Sequence, residues 1–191
     1  MSPASLRLET TSVEDTRALA AALSELARPC DLILLVGDLG AGKTAFTQGF
    51  GAGLGVEGPI TSPTFALVRS YEGRLDLHHL DVYRLEQIGE ALDLGLSELL
   101  DDGAVTLIEW GDTIVPALPP DYLEVRITFE DSPEVRPDAR SFVVTARGTQ
   151  WSARRRALET ALDQWSAPDA GTAEEGGGAA EPSTAEKRNV D

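Results

Sequence analysis

Hydrophobic residues in this chain follow two periods, with one uninterrupted apolar run among them. Residues 32–36, Leu-Ile-Leu-Leu-Val, are apolar without a break, which predicts a strand buried on both faces. Residues 104–108, ending at Glu109, predict a second buried strand. Strict alternation marks Leu123, Val125, Ile127 and Phe129 as one side of a half-buried strand, with Phe142, Val144 and Ala146 on a partner. Shorter alternation at Leu6 to Glu9 predicts an edge strand. Residues 65–71 and 74–80, separated by Glu72-Gly73, predict an antiparallel hairpin. Helical spacing places Leu19, Leu23 and Leu26 on one stripe, behind a cap at Thr11 and Ser12 with Glu14 and Asp15 in the first turn. The same spacing groups Phe46, Phe50 and Leu54, with the helix running out at Gly51, Gly53 and Gly55. It predicts two short helices over 85–100 and a last helix carrying Trp151, Leu158, Leu162 and Trp165.

Strands alternating with helices predict a three-layer α/β domain with a mixed sheet. Its centre is parallel, and the 65–80 hairpin and the 121–146 pair are antiparallel additions. The domain covers residues 1–166. Residues 167–191 are Gly, Ala, Pro and Glu without apolar periodicity and form a disordered acidic tail.

The buried run at 32–36 leads directly into Gly37-Asp38-Leu39-Gly40-Ala41-Gly42-Lys43-Thr44, which fits G-x-x-x-x-G-K-[ST]. Strand, glycine-rich loop and helix in this order make the phosphate-binding loop of nucleotide hydrolases. Its backbone N–H groups converge on an anion at the positive end of a helix. Leu39, Gly40, Ala41 and Gly42 would supply the cradle, Lys43 would reach the β- and γ-phosphates, and the Thr44 hydroxyl would ligate Mg²⁺. A buried strand ending in an acid supplies the second element such a site needs, so Glu109 is the expected Mg²⁺ ligand, chosen over Asp81 because its strand is the more continuously apolar. Asp81, at a strand end, would lie near Mg²⁺, orient water, or cap a turn and pair with Arg84. Trp110 packs on the site, on a partner, or in the core. Residues 58–65 are either a Pro-rich connector or a segment that senses Mg²⁺ and the γ-phosphate. His78 and His79 are adjacent, and adjacent strand positions face opposite ways, which argues against one shared metal.

Charge narrows the partner classes. At 191 residues and a formal net charge of −16, the surface should repel nucleic acid, so RNA would be reached through another protein. The two lysines are Lys43 and Lys187, which leaves no Asn-Lys-x-Asp guanine-reading motif and makes ATP the expected nucleotide. Arg154-Arg155-Arg156 reads as a solvated face, with an RNA or acidic-partner contact as the alternative. Cys30 is the single cysteine and is expected as a small buried residue in a reducing cytoplasm. No signal peptide or membrane-length apolar run is visible.

Four motifs taken in order, the loop 37–44, Ser62-Pro63-Thr64-Phe65, His79-Leu80-Asp81-Val82-Tyr83-Arg84 and Ile108-Glu109-Trp110, resemble the TsaE family, the small bacterial ATPases of tRNA threonylcarbamoyladenosine synthesis. The resemblance spans about residues 6–150. It implies ATP and Mg²⁺ as cofactors and weak hydrolysis alone. It also implies work with a TsaB–TsaD pair that transfers a threonylcarbamoyl group to the adenosine beside the anticodon of tRNAs reading A-starting codons. By motif, Lys43 and Thr44 become phosphate and Mg²⁺ contacts, Glu109 the acidic ligand and Asp81 a catalytic carboxylate. Thr64, Arg84 and Trp110 fall in motifs tied to turnover or partner contact. A small-molecule kinase built on the same loop is the competing expectation, though no arginine-rich lid segment is visible. A module with a degenerate loop is a third, opposed by intact Lys43, Thr44 and Glu109.

Overall fold

A computed structural model describes residues 5–63, 66–83, 95–129 and 136–167. Seven strands form one sheet: β1 (Ser5–Thr10), β2 (Leu32–Val36), β3 (Val68–Tyr71), β4 (Leu77–Asp81), β5 (Val105–Glu109), β6 (Tyr122–Thr128) and β7 (Arg140–Arg147), in the order β1-β7-β6-β2-β5-β4-β3. The helices are α1 (Val13–Ser24), α2 (Lys43–Gly53), α3 (Leu96–Asp101), α4 (Gln150–Ala153) and α5 (Arg155–Leu162), with 3-10 turns at Gly111–Ala117 and Asp163–Trp165.

Strands β4, β5, β2 and β6 run parallel, β3 and β7 run against them, and β1, paired antiparallel to β7, returns to the central direction. The mixed, centrally parallel sheet is therefore as its sequence predicts, with one correction. The first strand of the 121–146 pair belongs to the parallel centre, and only β7 runs against it. Strand β4 also departs from its alternating pattern. All five of its residues are buried, because β3 and β5 flank it and both faces are covered.

Alternate residues of β2 feed two cores. Ile33 and Leu35 join Leu19, Leu23, Phe46, Phe50, Leu158 and Leu162 beneath α1, α2 and α5. Leu32 and Leu34 face Leu96 of α3 and Ile114 of the 3-10 turn. Each such fully buried side chain stabilises the fold by about 1.5–3 kcal/mol.

Helix α1 begins as predicted, with the Ser12 hydroxyl accepting the Asp15 N–H at 3.0 Å. Helix α2 runs out among its glycines as predicted, ending at Gly53. A side chain at Gly49 would overlap the Arg17 carbonyl of α1, so absence of a Cβ there is a packing requirement. The predicted last helix is broken into α4, α5 and a 3-10 turn. Arg154 between them makes two 2.6 Å hydrogen bonds to the buried Asp31 and stacks 3.7 Å over Trp151, while Arg155 pairs with Glu159. The arginine cluster is thus not one solvated face. Cys30, expected in the core, is exposed in the turn before β2 with φ of 62°. The tail's described part ends the sheet: Ser166 bridges to Leu8, and the Ala167 N–H donates to the Arg7 carbonyl at 2.9 Å. Of the two short helices expected over 85–100, α3 supplies the second, while residues 85–94 and the tail beyond 167 lie outside the described residues.

Candidate active site

Parallel register brings the chemistry to one edge. Leu35 pairs with Glu109, and Glu109 with Asp81, so β2, β5 and β4 end level at their C-terminal ends. The 37–44 loop leaves β2 one residue later. Crevices at the carboxyl ends of parallel strands are where such sheets place ligands. Here a cleft of about 460 Å³ opens between the loop and the two acidic strand ends.

The loop has the backbone its sequence requires. Gly42, capping α2, has φ of 106°, a conformation side chains disfavour. The Lys43 ammonium donates to the carbonyls of Gly37 at 2.7 Å and Asp38 at 2.9 Å, and lies 3.7 Å from the centre of the Trp110 ring. Burial lowers its pKa from the ordinary lysine value, and the nearby carboxylates, Glu109 foremost, oppose that shift. Leu39 is 83% exposed on the rim. Gly40 lines the cleft, and Ala41 is buried behind it.

Thr44 and Glu109, predicted as one pair, meet. The Thr44 hydroxyl donates to Glu109 Oε1 at 3.2 Å. Glu109 is 3% exposed, and its same oxygen is hydrogen-bonded at 2.9 Å to Nε2 of the fully buried His79. Asp81, also buried, accepts the Ser62 hydroxyl at 3.0 Å and the Tyr83 N–H at 3.1 Å. Its predicted pairing with Arg84, and the Arg84 and Thr64 positions themselves, lie outside the described residues. Ser62 of the 58–65 segment does reach the cleft. Trp110 lines it too, with φ of 62° and its ring 4.9 Å from that of Tyr83. Holding a bulky residue in that backbone region costs about 1–3 kcal/mol.

Oxygen donors of this kind suit a hard divalent cation. Among the described residues no group of three or more His, Cys, Asp or Glu could hold a metal. A cation beside Thr44 and Glu109 would therefore complete its shell with phosphate oxygens and water. No arginine lines the cleft among the described residues.

Sequence reasoning quoted His79 and Tyr83 within the 79–84 motif but gave them no role, and it missed Arg140. For His79 the signal was its place in a strand ending at Asp81, but its partner is 30 residues away and depends on the β4–β5 register. The adjacent histidines do diverge as expected. His78 turns to Ser70 at 2.8 Å and Asp102 at 2.6 Å, away from His79. No helix of the described residues is long and apolar enough to cross a membrane.

Comparison with known proteins agrees with this layout. The family model for threonylcarbamoyl adenosine biosynthesis protein TsaE matches residues 10–137. The tRNA threonylcarbamoyladenosine biosynthesis protein TsaE of Bacillus subtilis is 40% identical over 147 residues, covering 76% of this chain and 89% of the relative. That of Streptomyces coelicolor is 41% identical over 140 residues, covering 71% and 93%. Among solved structures, the crystal structure of Bacillus subtilis YdiB superposes with a TM-score of 0.72 at 34% identity, covering 84% of this chain and 97% of that one.

Proposed function

The chain belongs to the TsaE family of threonylcarbamoyl adenosine biosynthesis, and from that membership we propose that it is a Mg²⁺-dependent ATPase that drives or resets a TsaB–TsaD pair during threonylcarbamoyl transfer to tRNA. The observation that carries this reading is the Thr44–Glu109 contact across the cleft from Lys43. It joins a phosphate cradle to an acidic strand end, the two halves a nucleotide hydrolase needs.

In the proposed reaction, the N–H groups of Gly40, Gly42, Lys43 and Thr44 and the Lys43 ammonium bind the β- and γ-phosphates of ATP, the Ala41 N–H being held by the Asp38 carbonyl. For Lys43 this means exchanging the Gly37 and Asp38 carbonyls for phosphate oxygens. Water attacks the γ-phosphorus as the bond to the β,γ-bridging oxygen breaks, giving ADP and inorganic phosphate. Thr44 and Glu109 would hold Mg²⁺, which when bound neutralises charge on the phosphates. Asp81, held by the Ser62 hydroxyl and the Tyr83 N–H, would orient the attacking water. Lys43 and the loop N–H groups stabilise the charge that develops in the transition state. RNA contact runs through the partners, consistent with the net charge of −16.

The test is steady-state ATP hydrolysis by the protein alone and with purified TsaB–TsaD and tRNA. Slow turnover that rises clearly with the partners is the expected result. Turnover that ignores the partners and appears only with a small-molecule acceptor would replace this reading with a kinase. Lys43→Ala should abolish tight ATP binding in the same preparations.

A further inference from the structure

Arg140 lies beyond residues 10–137 and does not line the cleft, yet it is tied to the loop that does. It opens β7, and its side chain reaches across to residues about a hundred positions earlier. Nε donates to the Ala41 carbonyl at 2.9 Å and Nη2 to the Gly40 carbonyl at 3.3 Å. Nη1 donates to the carbonyls of Pro137 and Ala139, both at 2.7 Å. Among the described residues, no carboxylate is within ion-pair distance of it, although the chain carries 32 acidic residues. Its guanidinium instead collects four backbone oxygens, two from each of two segments.

The consequence follows from peptide geometry. In a trans peptide the C=O and N–H point to opposite sides. Holding the Ala41 carbonyl on Arg140, behind the loop, therefore turns the Gly42 N–H away from Arg140 and toward the cleft that Gly42 lines. The fork shape of guanidinium lets one side chain fix two successive carbonyls, which a point-charge ammonium does not do.

We propose that Arg140 is a positioning residue for phosphate binding: it holds the 40–42 backbone from behind, so that the Gly42 N–H is presented to a phosphoryl group in the cleft, while the Ala41 N–H stays on the Asp38 carbonyl. The proposal rests on the reading of this cleft as an ATP site. A preorganised array binds more tightly because ordering is not paid at the moment of binding. Nothing in this role requires contact between Arg140 and the nucleotide.

The experiment measures affinity for a fluorescent ATP analogue, and for inorganic triphosphate by competition, in the full-length wild type, Arg140→Ala and Arg140→Lys. Thermal midpoints are measured on the same samples. Arg140→Ala is expected to bind both ligands about tenfold more weakly, by the same factor for each, as the loss of one charge-assisted contact implies. Arg140→Lys keeps the cation and one donor, so it should fold and still bind several-fold more weakly than wild type. Low millimolar guanidinium should restore part of the affinity of Arg140→Ala. A midpoint that falls with no change in affinity would overturn the proposal, as would full affinity in Arg140→Lys with no rescue of the alanine variant. Wild type that binds neither ligand overturns the ATP reading and this proposal with it. Tight wild-type binding with equally tight Arg140→Ala binding overturns this proposal alone.

Discussion

Glu109→Ala tests whether the site's acid also holds the fold together. Glu109 Oε1 is the partner of Nε2 on His79, a side chain with no exposed surface, and Nδ1 of that ring has no partner among the described residues. Removing the carboxylate therefore strands an imidazole whose two nitrogens both lack a protein partner. Leaving one buried polar group unsatisfied costs about 1–3 kcal/mol. For a domain of this size each kcal/mol lowers the thermal midpoint by about 2–4 °C. The variant is expected to fold, to melt several degrees lower, and to lose Mg²⁺-dependent turnover. Adding His79→Leu to it removes the stranded group, so the double variant should recover part of the loss. The coupling between the two positions should be about 1–2 kcal/mol, within the range for residues in direct contact. Urea denaturation of wild type, both single variants and the double variant measures this cycle. Strict additivity would refute the claim that the two side chains depend on each other. A folded Glu109→Ala protein with normal hydrolysis would refute the catalytic half.

Four further outcomes follow from other parts of the structure. Arg154→Ala leaves Asp31 buried without its bidentate partner and should cost about 3–5 kcal/mol, read as a lower urea midpoint. Gly49→Ala forces α2 away from the Arg17 carbonyl and should cost about 1–3 kcal/mol, with a matching drop in thermal midpoint. Trp110 is the one tryptophan beside Lys43, while Trp151 and Trp165 lie in the core, so ATP should change intrinsic fluorescence in wild type and not in Trp110→Phe. The same variant should bind ATP up to about tenfold more weakly. Asp102 is held below its ordinary pKa of 3.8 by the Ala104 N–H first and His78 second. A depressed carboxylate stabilises the fold above its unfolded value, and that contribution is lost as pH falls through the lower folded value. Asp102→Asn should therefore melt slightly lower than wild type near neutrality, the two curves converging as pH drops below 3.8.

The parts of the molecule legible in its sequence are those where local pattern and burial coincide. The apolar run at 32–36, the glycine loop and the Phe46–Phe50 stripe are contiguous, so strand, loop and helix were readable together. Glu109 was readable because a buried strand cannot keep a carboxylate at its end without a reason. The direction of β6 was not readable, since alternation reports which side is buried and says nothing of the neighbour's direction. The glycines that end α2 at Gly53 were readable as a helix end, whereas the need for glycine at 49 was not, because it is set by the approach of α1. Cys30 was misjudged because composition favours burial of cysteine, whereas its turn places it outside. His79 and Arg140 act on residues 30 and about a hundred positions away, contacts set by strand register rather than spacing.

The bridge between Leu8 and Ser166 makes the two margins of the sheet unequal. An unpaired strand edge is a template on which another molecule can add a strand. At β1 the chain fills part of that template itself, through Ser166 and the Ala167 N–H, so an incoming strand must first displace the protein's own segment. At the opposite margin β3 is short, with four residues, none of them fully buried, and among the described residues no strand or bridge pairs with its outer edge. Sheet growth among the described strands is therefore directional: obstructed at β1, where Ser166 and Ala167 already sit, and offered only a four-residue template at β3.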